Sequence, residues 1–256
     1  MKVANYIAEF LVKNQIEDVF TVTGGGAMHL NDAFGHASGL RCIYNNHEQA
    51  CAIAAEGYTR LTGKLAAVCV TSGPGGTNAI TGVLGGWLDS IPMLIISGQV
   101  KREMTTWSCS ELGLRQLGDQ EFNIADTVRN FTKYAVMVTN PNEIAYHLEK
   151  ALFLCRKGKG GPVWLDIPLD IQGSNIELGD LKHYNSCEDS MNIEPHFDLQ
   201  DAQKLLTMIR NAKAPLILSG SSIQYSKSEE IFLQLVDKLR IPVVTAWAAN
   251  DTLPYD

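Results

Sequence analysis

The sequence predicts a doubly wound α/β fold, a parallel sheet with helices on both faces, followed by an incomplete second α/β domain. Three observations carry this. Short apolar and β-branched runs alternate with stretches of helical apolar spacing. Two of the runs, "LAAVCVTSG" and "PMLIISGQ", are apolar almost throughout, as strands buried on both faces of a parallel sheet are. Two glycine-rich turns, "VTGGGAM" (22–28) and "TSGPGGTNAI" (71–80), each follow a strand and precede a helix. That places both at the carboxyl edge of the sheet, where open α/β sheets bind ligands.

Taken in order, residues 2–14 carry Val3, Tyr6, Ile7, Phe10 and Leu11 at helical spacing. "DVFTVTGGGA" is a strand running into glycines, 27–37 a helix, "LRCIYN" a second strand and 47–62 the next helix. "LAAVCVTSG" is a third strand, "PGGTNAITGVLGGWLDS" a loop and helix, and "PMLIISGQ" a fourth strand. Residues 101–123 break the rhythm; they are polar, contain Trp107 and read as a surface excursion. "NFTKYAVMV" gives a strand, 141–157 a helix, and "GPVWLDIP" the last strand of the first domain. The Asn-, Ser-, Asp- and Gly-rich stretch that follows reads as a linker. A helix (199–210), a strand (215–219), a helix (229–239) and a strand (241–245) complete the chain. Two strands and two helices do not cover both faces of a sheet, so this part reads as an unfinished domain. The expected division is a first domain over 1–172, a linker over 173–196 and a truncated domain over 197–256.

Composition removes several functions. Hydrophobic residues make up 45% and charged residues 19%, enough for a substantial core. A net charge of -7 argues against nucleic-acid partners, which need clustered Lys and Arg. No unbroken apolar window has membrane-spanning length, so no membrane association is expected. The amphipathic start, with Glu9, lacks the layout of a signal peptide. Six scattered cysteines form no CxxC pair, so the expectation is reduced thiols in a cytoplasmic protein.

Few stretches can carry chemistry. "GGGAMHL" has His29 where a GxGxxG motif needs its last glycine, and it lacks the GK[ST] of a P-loop. From these residues alone it stays open between a tight turn and an anion-cradling loop. Glu48 opens the helix "HEQACAIAAEGYTR" just ahead of a run of small residues. Its plain reading is a carboxylate favoured by the helix dipole; its functional reading is a member of a site shared by the two glycine turns. "HEQAC" lacks the second His of HExxH, so no metal site is expected on this chain.

Taken together, "DVFTVTGGGAMHL", "NHEQACAIAAEGYTRLTGK", "TSGPGGTNAITGVLGGWLDSIPMLIISGQV", "DQEFNIADTVRNFTKY" and "GPVWLDIPLDIQ" resemble, in order and spacing, the N-terminal part of thiamine-diphosphate enzymes of the acetolactate synthase type. The likeness continues more weakly through "KAPLILSGSSI" and "LRIPVVTAWAANDTLPYD". The resemblance implies a pyrimidine-binding domain, then part of a central domain. The family's third domain, with its GDG segment and paired Asn that anchor diphosphate and Mg²⁺, has no counterpart in this sequence. It implies a lyase or transferase that decarboxylates a 2-keto acid such as pyruvate, joins the two-carbon unit to an acceptor carbonyl, and works as a homodimer or homotetramer with its site at a subunit interface. A chain of this extent is expected to be inactive alone.

Site residues follow one at a time. Glu48 matches the glutamate that hydrogen-bonds N1′ of the aminopyrimidine, which favours the imino tautomer whose nitrogen takes the proton from C2 of the thiazolium. Gly25 matches the glycine near the reaction centre, and Gln120 the glutamine facing the reacting carbonyl. Val22, Thr71, Pro74 and Asn78 match residues around the pyrimidine. Val22 stands where the synthases often carry Tyr, Lys101 where they carry Pro, and the segment between Val100 and Gln120 is longer than theirs. "SGSSI" replaces a more glycine-rich turn of a flavin-binding central domain, which leaves FAD open. The competing readings are a non-catalytic binding or regulatory module and a dinucleotide-binding domain. Glu48 and Gln120 weigh against the first, and the missing GxGxxG against the second.

Overall fold

The computed structural model describes residues 1–189 and 198–254. They divide into two units, Met1–Ser186 and Cys187–Asp256. In the first, the strands are β1 (Asp18–Thr21), β2 (Arg41–Tyr44), β3 (Ala67–Val70), β4 (Met93–Gln99), β5 (Tyr134–Met137) and β6 (Pro162–Pro168). The helices are α1 (Val3–Lys13), α2 (Met28–His36), α3 (Glu48–Thr62), α4 (Pro74–Leu88), α5 (Ile124–Val128), α6 (Ile144–Arg156) and α7 (Leu169–Gly173). The strands form one parallel sheet in the order β2-β1-β3-β4-β6-β5. This is the predicted doubly wound fold. β1 has β2 on one side and β3 on the other, so the winding reverses there and the turns after β1 and β3 flank the crevice that such a reversal opens.

Every residue of β3, β4 and β6 is buried, which explains their continuous apolar runs. On one face Ala67, Cys69, Leu94, Ile96, Val163 and Leu165 join side chains of α1, α2 and α6 in a single core. Helices α3 and α4 pack on each other so closely that a Cβ at Gly82 would stand 2.6 Å from Ala52 Cβ and 2.8 Å from Ile53 N. The run of small residues after Glu48 makes that approach feasible.

Asp166 departs from the apolar pattern of β6. It is fully buried and accepts from Ser97 Oγ (2.6 Å) and Gln99 Nε2 (3.0 Å), while Trp164 Nε1 donates to Ser97 Oγ (2.8 Å). Burial pushes its carboxyl up to about 7, against the pull of the two hydrogen bonds. His147 on α6, joined to Tyr134 OH at 2.7 Å, moves the other way; burial lowers it to about 4 despite Glu143 nearby. These shifts oppose each other. Between pH 4 and 6.5 the folded chain holds a proton on Asp166 that the unfolded chain has lost, so raising the pH costs stability. Over the same range the unfolded chain protonates His147 and the folded chain does not, so raising the pH restores it. The wild-type profile is expected to be flat there. Asp166→Asn should unmask stability that rises with pH by up to about 1.4 kcal/mol per unit, and His147→Gln the reverse slope. Urea unfolding from pH 4 to 7 reads both.

Local differences from the predicted elements have physical causes. Helix α4 begins at Pro74 itself, because Pro at a first helical position gives up an N–H that has no partner there; "PGG" is helix, not loop. Residues 102–112 form 3₁₀ turns and 124–128 a short helix, both too short to show a period. Residues 173–186, read as linker from composition, lie within the first unit, with Ile176 and Leu181 buried in its core. The stretch 190–197, also read as linker and domain start, falls outside the described residues.

The second unit contains α8 (Leu199–Asn211), β7 (Ile217–Ser219), α9 (Ser222–Tyr225), α10 (Glu229–Leu239) and β8 (Val243–Thr245). Its two strands pair in parallel, Leu218 opposite Val244. Neither α8 nor α10 has a buried residue, and apolar side chains such as Leu199, Met208 and Ile231 are exposed. No described helix is long and apolar enough to cross a membrane.

Candidate active site at the carboxyl edge of the sheet

Four segments meet where the sheet reverses. The turn after β1 runs through Val22 and Gly24–Ala27, the last three residues forming a 3₁₀ turn. The turn after β3 carries Thr71–Gly73 into α4. Helix α3 presents Glu48 at its first position, with His47 as N-cap accepting from Gln49 N at 3.1 Å. The fourth segment, 118–123, comes from the end of the excursion.

Hydrogen bonds fix their relation. Asn78 Nδ2, on the first turns of α4, donates to Glu48 Oε2 at 3.0 Å. Gly26 N donates to Thr71 Oγ1 at 3.0 Å, tying one glycine turn to the other. Glu48 Oε1 lies 3.5 Å from the position of a Cβ on Gly75, so the carboxylate rests on the start of α4. Among the described residues Oε1 takes no hydrogen bond, and Glu48 is only half-buried. A carboxylate with one oxygen held and the other free is oriented to meet a partner from outside the chain. Gly25 is exposed, and a Cβ there would meet nothing within 4 Å, so space lies over the turn. This half-held carboxylate beside an open glycine turn fits a planar heteroaromatic base with a ring nitrogen to bond. Among the described residues no group of three or more His, Cys, Asp or Glu side chains is placed to hold a metal ion.

The structure thus brings Glu48, Asn78 and Thr71 together around the start of α4, with the glycine turn that carries Gly25 resting on Thr71 through Gly24 and Gly26. Pro74 lies exposed at the start of α4, and Val22 half-buried in the first turn. Gln120 arrives through its backbone. It has φ +56°, unusual for a residue with a side chain, and its carbonyl oxygen occupies the place a Cβ on Gly73 would take. Gly73, with φ +56° as well, is therefore required both by the turn and by the contact.

Two further residues, both inside the segments that carry the resemblance but with no role implied there, help build the site. Gln172, fully buried on α7, donates through Nε2 to Gly26 O and to Ile167 O, both at 2.7 Å, pinning the glycine turn to β6. Glu121 accepts from Thr106 N (2.6 Å), Thr106 Oγ1 (2.8 Å) and Leu117 N (2.8 Å), so one carboxylate ties both ends of the excursion. Arg102 anchors its start on Asp170 and on Thr139 O. The signal for Glu121 was a carboxylate beside a predicted site residue; Gln172 sits in "LDIQGSN", where nothing marks it as buried. Glu121→Ala strands three donors and should release the excursion, read as protease cleavage within 105–117 that wild type resists, at a cost of about 2 kcal/mol in unfolding free energy.

Comparison with known proteins identifies the family. Residues 1–127 match the family model for the thiamine pyrophosphate enzyme N-terminal TPP binding domain, and residues 202–256 the model for the central domain of the same enzymes. The acetolactate synthase large subunit of Lactococcus lactis is 36% identical over 247 residues, covering 93% of this chain and 40% of that protein. That of Buchnera aphidicola (subsp. Schizaphis graminum) is 32% identical over 251 residues, with 98% and 42% covered. The chloroplastic acetolactate synthase of Arabidopsis thaliana is 31% identical over 257 residues, with 100% and 36% covered. The chain thus spans about two fifths of the length of the curated relatives it matches. With two of the family's domains matched in order, and the glycine turns and Glu48 meeting where the sheet reverses, the chain belongs to the thiamine pyrophosphate enzymes, of which it carries the N-terminal TPP binding domain and central-domain sequence.

Proposed function

We propose that this chain supplies the pyrimidine-facing half of a thiamine-diphosphate site in an acetolactate synthase-like enzyme. The enzyme decarboxylates a 2-keto acid, pyruvate, and joins the two-carbon unit to an acceptor carbonyl. The single observation that carries this is Glu48, with Oε2 held by Asn78 and Oε1 without a hydrogen bond among the described residues. Bound thiamine diphosphate supplies an electron sink for the carbanion left by CO₂. Glu48 Oε1 holds the proton at the pyrimidine N1′, and Asn78 keeps the carboxylate from turning away. Gly25 leaves room above the turn, Val22 offers an apolar wall, and Thr71 and Pro74 shape the floor through the Gly26 contact and the start of α4. Gln120 faces the reacting carbonyl. On this reading residues 1–172 form the pyrimidine domain and 197–256 the first part of a central domain. Mg²⁺ and the diphosphate are held by sequence that the relatives carry beyond the matched part.

A subunit partner fits the same face. Ile53 and Leu61 on α3, and Leu84, Trp87 and Leu88 on α4, are exposed apolar residues spread along the helices that lead away from the crevice, up to 87% exposed for Leu61 at the far end of α3. A homodimer or homotetramer that covers them would close the site with the partner's diphosphate domain. The six free cysteines suit the cytoplasm. A non-catalytic module has no use for a carboxylate so held.

The test is CO₂ release and product analysis with the full-length enzyme, pyruvate, thiamine diphosphate and Mg²⁺. The expected result is cofactor-dependent CO₂ with acetolactate as product. No CO₂ from the wild-type enzyme would reject the reaction.

A further inference from the structure

Gln120 is held in a left-handed backbone conformation that its side chain disfavours. The loop supplies part of the hold itself, through Glu121 N to Gly118 O at 3.2 Å and through the Glu121 carboxylate, which accepts from Thr106 and Leu117. The other hold comes from beneath. Gln99, the last residue of β4 and only 1% exposed, donates through Nε2 to Phe122 O at 2.9 Å, two residues beyond Gln120. The same Nε2 donates to Asp166 Oδ2 at 3.0 Å, and Oε1 accepts from Val100 N at 3.0 Å. Two acceptors meet the amide nitrogen and one donor meets the amide oxygen, so the amide has a single workable orientation. Asp166 is locked in turn by Ser97 Oγ, which takes the Trp164 indole N–H.

We propose that Gln99, oriented by Asp166, is a positioning residue that sets the Gln120 loop over the crevice from within the sheet. The chain of bonds runs from the core of β6 through β4 to the backbone of 120–124, where Phe122 O also accepts from Ile124 N and Asn123 caps α5. Any fully buried Gln in a strand needs partners; this one spends a donor on the segment that carries a candidate site residue rather than on the sheet. Its consequence for catalysis rests on the proposed reaction, whereas its consequence for the loop does not.

The experiment uses the full-length enzyme. Amide hydrogen exchange is followed in wild type, Gln99→Leu and Trp164→Phe, the last cutting the network at its far end as a control for general loss of stability. Gln99→Leu should speed exchange across 120–124 by about tenfold, while Trp164→Phe lowers the melting temperature without a selective change there. Gln99→Glu, which sets a carboxylate against Asp166 and Phe122 O, stands in if Gln99→Leu does not fold, with the same selective change expected. Exchange at 120–124 that rises no more than elsewhere would overturn the proposal. A double-mutant cycle on pyruvate turnover adds the catalytic reading: the loss caused by Gln99→Leu should vanish in a Gln120→Ala background, and equal losses in both backgrounds would overturn the catalytic part. If wild type does not turn over pyruvate, the reaction assignment fails and the exchange result still decides the positioning role.

Discussion

Replacing Glu48 by glutamine in the full-length enzyme should leave the fold intact and lower turnover by about 10²–10⁴-fold, the range for losing a positioned proton-transfer group. The structure says how the substitution acts. Asn78 Nδ2 donates to Oε2 of Glu48, so the carbonyl oxygen of a glutamine is drawn to that side. The amide NH₂ then takes the place of Oε1 and faces the crevice as a donor. It can neither accept the N1′ proton nor carry charge opposite it. The side chain is half-buried and its one hydrogen bond among the described residues survives, so stability should fall by no more than about 1 kcal/mol, the helix-dipole contribution of a first-turn carboxylate. Turnover of the variant within a few-fold of wild type would remove Glu48 from the chemistry.

Gly98→Ala should be the most damaging change to the fold of the site. Gly98 lies near the end of β4, and a Cβ there would fall inside the envelope of the Gly26 carbonyl and stand 2.6 Å from Ala27 Cα. Backbone cannot move aside as a side chain can, and Gly26 O is also held by Gln172. The expected cost is about 3 kcal/mol or more, at the upper end for an overpacked site, with loss of thiamine-diphosphate binding because the turn carrying Gly25 is displaced. Gly25→Ala is the contrast. Its Cβ meets nothing within 4 Å, so unfolding in urea should be unchanged while cofactor affinity falls, since the methyl fills the space above the turn. Equal destabilisation by the two substitutions would contradict this account of the crevice.

Most of the first unit was legible because β1, β3, β4 and β6 are buried on both faces and helices separate the strands. "LAAVCVTSG" and "PMLIISGQ" have no polar face to blur, and the glycine turns mark where two strands end. The shared edge was legible for the same reason: turns after parallel strands lie on one edge of the sheet, and Glu48 opens a helix on that edge. What stayed hidden has no period. Helix α7 is one turn long, and Gln172 looks like any linker glutamine until α1 and α2 close over it. The excursion is organised by one carboxylate, Glu121, rather than by regular structure. Asp166 carries a signal of its own: a lone carboxylate inside an apolar strand must be paired, and its partners lead to the loop that carries Gln120. In the second unit the amphipathic period gave α8 and α10 correctly, but their apolar faces remain exposed among the described residues. Period reports a face that wants cover, not what covers it.

The central claim is that Glu48 controls a proton at the pyrimidine, and hence the acidity of the cofactor. Its most direct test needs no substrate. Deuterium exchange at C2 of thiamine diphosphate bound to the full-length enzyme with Mg²⁺ should run far faster than for free cofactor, and should fall back toward the free rate in Glu48→Gln. Equal exchange in the two proteins, with the cofactor bound in both, would contradict the assignment.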